Sequence, residues 1–255
     1  MTITYFTKFY DTAEQAAAAA QHYAWLAAHA KPLRQPTLRV IGPTSLTVER
    51  IQGRHAAVED LPRLARLLGD THGAAWVSDL HQARLESPHH SGDGASLGDY
   101  LHPREAALRE RHRQGYLPTH SALTAMLTLL RTTAEGPAAF YKDSNLRNFL
   151  ITEDATVFAV DPDDLTLAPF AYDLAKLITS LLLTYGPLPE QSVGEALVAY
   201  NEAAACHDGQ LGTTNRDRLD DFLALHAVLT APYVGRHGYG RPAPPITSRT
   251  CRDHH

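Results

Sequence analysis

The 255-residue sequence contains little cysteine, no basic excess and no long apolar run. Its two cysteines, Cys206 and Cys251, lack the Cys-x-x-Cys spacing, which excludes a disulfide framework and a thiolate zinc site. The formal net charge is −5, so the chain lacks the cationic surplus with which nucleic-acid-binding proteins neutralise phosphates. The longest apolar run, 177–185, is interrupted by polar residues and is too short to cross a bilayer. We therefore expect a cytoplasmic protein with no nucleic-acid or membrane partner.

What remains is the composition of a globular chain, 44% hydrophobic and 20% charged, long enough for one large domain or two lobes. Strand-like segments dominate the beginning of the chain and helical periodicity dominates the rest. This order predicts an α+β fold. We expect a small β-rich lobe over 1–53, a helical lobe over 54–236 and an irregular tail over 237–255.

The segment 149–160 has the pattern of a β-hairpin, because two apolar runs flank four residues of turn type. If Thr152 pairs with Val157, Asn148 falls opposite Asp161. Directly opposed residues in antiparallel strands have Cα atoms about 4.5–5.5 Å apart. An amide oxygen and a carboxylate would then meet at one end of the hairpin, and both are ligands that suit Mg²⁺.

Asp143 precedes Asn148 by five residues and can reach the same end of the hairpin. An Asp, an Asn five residues later, an apolar hairpin and a second Asp are typical of phosphoryl-transferring kinases. In those enzymes the first Asp accepts a hydroxyl proton, and the Asn and the second Asp hold metal ions on the phosphates. The pattern predicts Asp143 as the catalytic base and Asn148 and Asp161 as metal ligands.

Over 138–186 the chain resembles the aminoglycoside phosphotransferase and choline kinase branch of the protein-kinase-like superfamily. Tyr141-Lys142-Asp143 stands where that family usually has His-Gly-Asp. The resemblance implies a two-lobed protein-kinase-like fold with ATP and Mg²⁺ as cofactors. It also implies that Asp173, in Asp-Leu-Ala, braces the catalytic loop. Lys142 places a cation next to the base and is predicted as a second catalytic residue. It would lower the pKa of the base and help to hold phosphate, or it would alter the chemistry.

In the first lobe, Lys8 resembles the strand lysine that contacts the nucleotide phosphates in this family. Only seven residues precede Lys8, so we expect a truncated sheet lobe that lacks the Gly-rich hairpin over the phosphates. The adenine ring is expected at the connection between the lobes. Glu49 and Ile51 are therefore predicted to bind the nucleotide.

The predicted function is transfer of the γ-phosphate of ATP to a hydroxyl of a small molecule. The resemblance suggests an antibiotic or another natural product as the acceptor. One alternative is a Ser/Thr kinase that acts on a peptide in modified-peptide biosynthesis, and a second is an inactive nucleotide-binding scaffold. Residues 101–131 contain five arginines against two glutamates. We interpret the arginine-rich segment 104–113 as a solvated helix face; the alternative is that it orients an anionic or carboxylated acceptor, or a leader peptide. We interpret Asp163 and Asp164 as turn residues or as carboxylates behind the metal site.

Overall fold

The computed structural model describes residues 4–236 and 239–241, so most of the predicted tail 237–255 lies outside the described residues. The first lobe is an antiparallel sheet, in the order β1-β3-β2, covered on one face by a helix. Its elements are β1 (Tyr5–Phe9), α1 (Ala13–His29), β2 (Leu38–Gly42) and β3 (Ser45–Glu49).

Helix α1 begins where the sequence provides a cap. The Thr12 hydroxyl accepts a hydrogen bond from the Gln15 N–H at 3.2 Å, and the Gln15 side chain accepts one from the Thr12 N–H at 3.3 Å. This reciprocal arrangement satisfies two N–H groups that a helix start leaves unpaired. The helix then buries Ala19 and Tyr23 against Leu46 and other residues of β3, which closes the small apolar core of this lobe.

The second lobe is mainly helical and holds the larger apolar core. Its helices are α2 (Leu61–Ser78), α3 (Leu101–Arg113), α4 (His120–Thr132), α5 (Tyr172–Tyr185), α6 (Glu190–Ala205) and α7 (Arg216–Thr230). Helices α2 and α6 approach closely at Gly69, where a Cβ would lie 2.1 Å from the Tyr200 carbonyl oxygen. None of the helices in 4–236 and 239–241 is both long and apolar enough to span a membrane.

Short strands support the segment that carries the predicted site. They are β4 (Arg54–His55), β5 (His89–His90), β6 (Ser96–Leu97), β7 (Ala138–Tyr141), β8 (Phe149–Ile151), β9 (Val157–Ala159) and β10 (Thr166–Pro169). Strand β7 pairs with β10, and β8 lies between β4 and β9. The structure thus confirms an α+β chain with a small sheet lobe and a larger helical lobe.

The predicted hairpin exists as β8 and β9, but its predicted register is wrong by one residue. Val157 pairs with Ile151 rather than with Thr152. The connection holds an additional residue because Ala155 adopts a left-handed conformation, with φ of 63°, and the Thr152 N–H closes the loop on the Thr156 carbonyl at 3.0 Å. A left-handed residue next to a turn is a usual way to fit a longer loop between antiparallel strands.

Candidate active site

The segment after β7 forms a tight loop that presents Asp143. The chain leaves β7 at Tyr141 and enters a 3-10 turn over Leu146–Asn148. Asp143 has a left-handed backbone with φ of 58°, and its carbonyl accepts a hydrogen bond from the Asn148 side-chain amide at 2.9 Å. Residues other than glycine rarely take this conformation, so the surrounding contacts hold the loop in place.

The carboxylate of Asp143 is half exposed and is contacted by two side chains. The Tyr141 hydroxyl donates a hydrogen bond to it at 2.8 Å, and the Lys176 ammonium lies 3.1 Å from the same oxygen. Burial by itself would raise the pKa of Asp143, but Lys176 and the Tyr141 hydroxyl, with a smaller contribution from Lys142, lower it below its usual value. The carboxylate is therefore ionised at neutral pH and can accept a proton.

Asp173, in the first turn of α5, anchors this loop from below. Its buried carboxylate accepts hydrogen bonds from the Ser144 N–H at 2.8 Å and from the Ser144 hydroxyl at 2.7 Å. The Lys142 N–H lies 3.5 Å from Oδ2 of Asp173, the oxygen that also accepts the Ser144 hydroxyl. Burial raises the pKa of Asp173, while Lys142 and Ser144 act in the opposite direction. The contacts of Asp173 are with the backbone on either side of Asp143, which is where a brace for the loop would bind.

The two predicted metal ligands lie at the same end of the hairpin, although not in the predicted register. Asn148 is opposite Val160, whose N–H donates to the Asn148 carbonyl at 2.9 Å, and Asp161 is the next residue. Asp161 has φ of 60°, so the chain turns sharply as it leaves the hairpin. The one-residue difference in register therefore leaves Asn148 and Asp161 as near neighbours in the fold.

Lys8 connects the sheet lobe to this end of the hairpin. Its ammonium forms ion pairs with the carboxylates of Asp161 and Asp163. Partial burial would lower the pKa of Lys8, but the two carboxylates raise it above its usual value. The Tyr10 hydroxyl donates a second hydrogen bond to Asp163 at 2.9 Å. A cation from the first lobe thus sits on two carboxylates of the second.

A cavity of about 550 Å³ lies between the sheet and the hairpin, and four of the predicted residues line it: Lys8, Glu49, Ile51 and Asp161. Apolar side chains form much of the remaining wall, among them Phe6, Leu46, Val48 and Leu150. Aliphatic and aromatic side chains with a few charged groups among them are typical of small-molecule pockets.

A second cavity, of about 540 Å³, is lined by Asp143, Tyr141 and Lys176, among others. Asp163 borders the first cavity and the adjacent Asp164 borders the second. The two cavities are therefore neighbours across the segment after β9. The candidate base faces one of them and the candidate metal ligand Asp161 faces the other.

Lys142 is a predicted site residue whose ammonium the structure places in the core. Its side chain is buried, its ammonium lies 4.2 Å from the centre of the Phe149 ring, and it borders neither cavity. Side chains alternate along an extended chain, so Tyr141 faces the second cavity while Phe140 and Lys142 face the core. Burial lowers the pKa of Lys142. In place of Lys142, Lys176 supplies the cation that contacts Asp143.

Sequence reasoning missed two contacts, those of Lys176 and Asp163. For Lys176 a signal existed: it is one of only four lysines, and it follows Asp173 by three residues on one helix, so both point to the same side. For Asp163 the sequence indicates only a turn residue or a carboxylate behind the metal site. Its ion pair with Lys8 joins residues 155 positions apart, for which the local sequence offers no signal.

The oxygen donors at the end of the hairpin fit Mg²⁺ chemically. No group of three or more His, Cys, Asp or Glu placed to hold a metal occurs in the described ranges 4–236 and 239–241. A metal here would be held by the carboxylate of Asp161 and the Asn148 amide oxygen, with the carboxylate of Asp163 beside them. Such hard oxygen ligands are those that Mg²⁺ prefers. The ammonium of Lys8 already lies on both carboxylates, so the position accommodates a positive charge.

The fold is similar to those of several solved kinase structures. The chain superposes with a TM-score of 0.59 on amicoumacin kinase hAmiN in complex with AMP-PNP, Ca²⁺ and Ami, at 14% identity, over 90% of this chain and 74% of that one. The choline kinase LicA from Streptococcus pneumoniae gives 0.59 at 12% identity, over 92% and 78% of the two chains. An aminoglycoside-3'-phosphotransferase of type VIII gives 0.56 at 16% identity, over 89% and 85%. At these identities the similarity establishes the two-lobed protein-kinase-like fold.

In sequence, no curated protein matches the chain. The family described as phosphotransferase enzyme family, APH, matches residues 3–222. That range includes the charged residues from Lys8 to Lys176 that line the two cavities. The chain therefore belongs to the APH phosphotransferase enzyme family.

Proposed function

We propose that this phosphotransferase moves the γ-phosphate of ATP to a hydroxyl of a small molecule, an antibiotic or another natural product. The observation that carries the proposal is the placement of Asp143 and Asp161 at two adjoining cavities. Each cavity, at about 540–550 Å³, lies in the size range of small-molecule pockets. A nucleotide in one and a hydroxyl acceptor in the other would meet at the catalytic loop.

In this proposal Asp143 receives the proton of the acceptor hydroxyl as its oxygen attacks the γ-phosphorus. The lowered pKa of Asp143 keeps the carboxylate in its proton-accepting form. Tyr141 and Lys176 fix the carboxylate in one position, and Asp173 holds the loop backbone beneath it. Positioning of this kind is the main contribution that a protein makes to phosphoryl transfer.

On the nucleotide side, Lys8 would contact the phosphates, and Glu49 and Ile51 would lie at the base and sugar. Asn148 and Asp161 would hold Mg²⁺, with Asp163 beside them. When bound, the ion supplies neutralisation of the charge on the phosphate oxygens. Transfer of the Lys8 ammonium from its two carboxylates to the phosphates would free Asp161 for this role.

The test is substitution of the base. Asp143→Asn keeps the shape of the side chain and removes its basicity, so turnover is expected to fall by about 10²–10⁴-fold, the usual contribution of general base catalysis. Binding of Mg²⁺-ATP, measured by thermal shift, is expected to stay close to wild type. Asp154→Asn, at the exposed tip of the hairpin, is the matched control and should leave turnover unchanged.

Activity is measured as acceptor-dependent ADP release over a panel of hydroxylated small molecules and Ser- or Thr-containing peptides. Phosphorylation of small molecules supports the proposal. Phosphorylation of peptides alone would favour the peptide kinase, and nucleotide binding without ADP release for any acceptor would favour the scaffold. Full turnover in Asp143→Asn would refute the assignment of the base.

A further inference from the structure

Helix α3 directs two of its four arginines into the cavity that contains Asp143. Arg104, Ala107 and Arg111 line that cavity. Residues three, four or seven apart lie on one face of a helix, which explains why these three point the same way. Arg109 and Arg113 are not among the lining residues and are largely exposed.

The outward and inward arginines differ in their partners. Arg109 forms an ion pair with Glu105 at 2.9 Å, and Arg113 pairs with Glu110, so the charges on the outer face are compensated within the helix. Across the described ranges 4–236 and 239–241, no carboxylate forms an ion pair with Arg104 or with Arg111. The excess positive charge of this segment is therefore turned toward the cavity.

Arg104 is a buried cation held by neutral groups. Its guanidinium lies 4.6–4.9 Å from the ring centres of Tyr100, Tyr141 and Tyr172. It donates hydrogen bonds to the Tyr172 hydroxyl at 3.1 Å, the Tyr100 carbonyl at 2.9 Å and the Thr166 hydroxyl at 3.1 Å. An arginine stays charged in proteins, and a buried charge is costly unless an opposite charge accompanies it. The cavity wall thus carries a rigid cation that lacks a counter-ion.

Arg111 adds a second cation two helical turns further along. Its guanidinium donates two hydrogen bonds to the Leu229 carbonyl, at 3.2 and 3.1 Å, and one to the Gln114 side chain at 3.4 Å. These partners are neutral and fix the group at the end of α7. The Tyr233 ring lies 6.0 Å from it.

The remaining ionisable groups of this cavity do not cancel that charge. Asp143 is paired with Lys176, and Asp164 is an exposed carboxylate at the wall. His226 is buried and donates to the Tyr172 carbonyl, and burial lowers its pKa well below the usual value, so it is neutral at neutral pH. Two guanidinium groups thus face one free carboxylate.

We propose that the acceptor is an organic anion: a hydroxylated carboxylate whose anionic group lies between Arg104 and Arg111 and whose hydroxyl reaches Asp143. The tyrosine rings and Leu229 favour a partly apolar or aromatic body. A polyamine acceptor is disfavoured, because its ammonium groups would lie near two unneutralised guanidinium groups. This inference rests on the proposed function and names its substrate class.

The phosphoryl transfer requires no co-reactant other than ATP and the acceptor. The acceptor oxygen forms a bond to the γ-phosphorus, and the bond between that phosphorus and the oxygen bridging to the β-phosphate breaks. The hydroxyl proton goes to Asp143 and the leaving group is ADP. The anionic group of the acceptor takes no part in the bond changes and serves only to anchor the molecule.

Three probes with one hydroxyl and one phenyl ring test the charge preference: 3-phenyllactate, its methyl ester and phenylalaninol, which are anionic, neutral and cationic. Their dissociation constants are measured by calorimetry at low salt. The carboxylate is expected to bind about tenfold or more tightly than the ester, and phenylalaninol most weakly. Equal affinities, tighter binding of the ester or the amine, or no binding of the carboxylate at millimolar concentration would overturn the inference.

Single-residue variants test whether Arg111 produces the preference for the carboxylate. Arg111→Gln is expected to reduce the ratio of the dissociation constants of the ester and the carboxylate. Arg111→Lys is expected to retain most of this ratio because the positive charge remains. Arg109→Gln, on the outer face, is the matched control and should leave the ratio unchanged. A ratio that is the same in Arg111→Gln as in wild type would overturn the assignment of Arg111. Arg111 is tested rather than Arg104 because removing a cation packed among three tyrosines endangers folding.

Turnover with ATP separates this inference from the proposed function. ATP-dependent phosphorylation of neutral or cationic acceptors in preference to carboxylates would overturn the anionic acceptor and leave the phosphotransferase proposal intact. A clear preference for carboxylate binding that depends on Arg111, without ADP release for any acceptor, would support the anion site and contradict the proposed activity.

Discussion

The anchoring by Asp173 of the loop that carries Asp143 gives a prediction whose size follows from the structure. In Asp173→Ala, two buried donors, the N–H and the hydroxyl of Ser144, lose their acceptor. A buried polar group left without a partner costs about 1–3 kcal/mol. We therefore expect the free energy of unfolding to fall by about 2–6 kcal/mol.

The loss should extend to catalysis, because the same hydrogen bonds hold the backbone that carries Asp143. In conditions where Asp173→Ala is still folded, turnover is expected to fall by roughly 10²-fold, since small displacements of reacting groups have effects of that order. Asp173→Asn keeps one acceptor oxygen for the Ser144 N–H and should be less harmful in both respects.

The assay is urea denaturation followed by tryptophan fluorescence, which Trp25 in the buried core can report. Asp220→Ala is the control: it removes a part-exposed carboxylate whose ion pair with Arg216 spans 2.8 Å, and such surface pairs contribute less than about 1 kcal/mol. If Asp173→Ala unfolds at the same urea concentration as this control and keeps full turnover, the loop does not depend on Asp173 and the reasoning fails.

Other substitutions test separate parts of the account. Lys176→Met removes the cation that lowers the pKa of Asp143, so the acid limb of the kcat/KM profile should move to higher pH; an unmoved limb would contradict the pairing. Gly69→Ala places a Cβ 2.1 Å from the Tyr200 carbonyl oxygen. In urea titrations the free energy of unfolding should therefore fall by about 1–3 kcal/mol or more. Wild-type stability would show that α2 and α6 can separate freely. Ala155→Gly relieves a left-handed backbone, with φ of 63°, and should raise stability by about 1 kcal/mol, whereas a loss would mean that the loop is not strained.

The parts of the site that lie close together in sequence could be predicted from it. Asp143, Asn148 and Asp161 lie on one loop and one hairpin, so their proximity depends on local turn chemistry more than on the rest of the fold. The error of one residue in register arose at Ala155, because a left-handed alanine is not signalled by its residue type. The order of a β-rich start and a mainly helical remainder could be predicted from strand-like and helical periodicity.

The parts that depend on long-range packing could not be predicted. The orientation of Lys142 follows from the alternation along β7, whose partner strand β10 lies more than twenty residues away. The pairing of Lys8 with Asp163 and that of Lys176 with Asp143 require the assembled lobes. The direction of the α3 arginines could be decided only once the face covered by the rest of the lobe was known. At such positions the sequence gives the chemical type of the side chain, but the residues that surround it depend on the assembled fold.

A crystal structure of the protein with Mn²⁺ and a non-hydrolysable ATP analogue, with anomalous scattering to locate the metal, tests most directly whether Asn148 and Asp161 hold the metal beside the nucleotide. We expect a manganese peak at the oxygens of Asn148 and Asp161, the adenine ring in the cavity bordered by Glu49 and Ile51, and the Lys8 ammonium on the phosphates. A manganese peak remote from Asn148 and Asp161, or a nucleotide seated in the arginine-lined cavity beyond Asp143, would contradict the account.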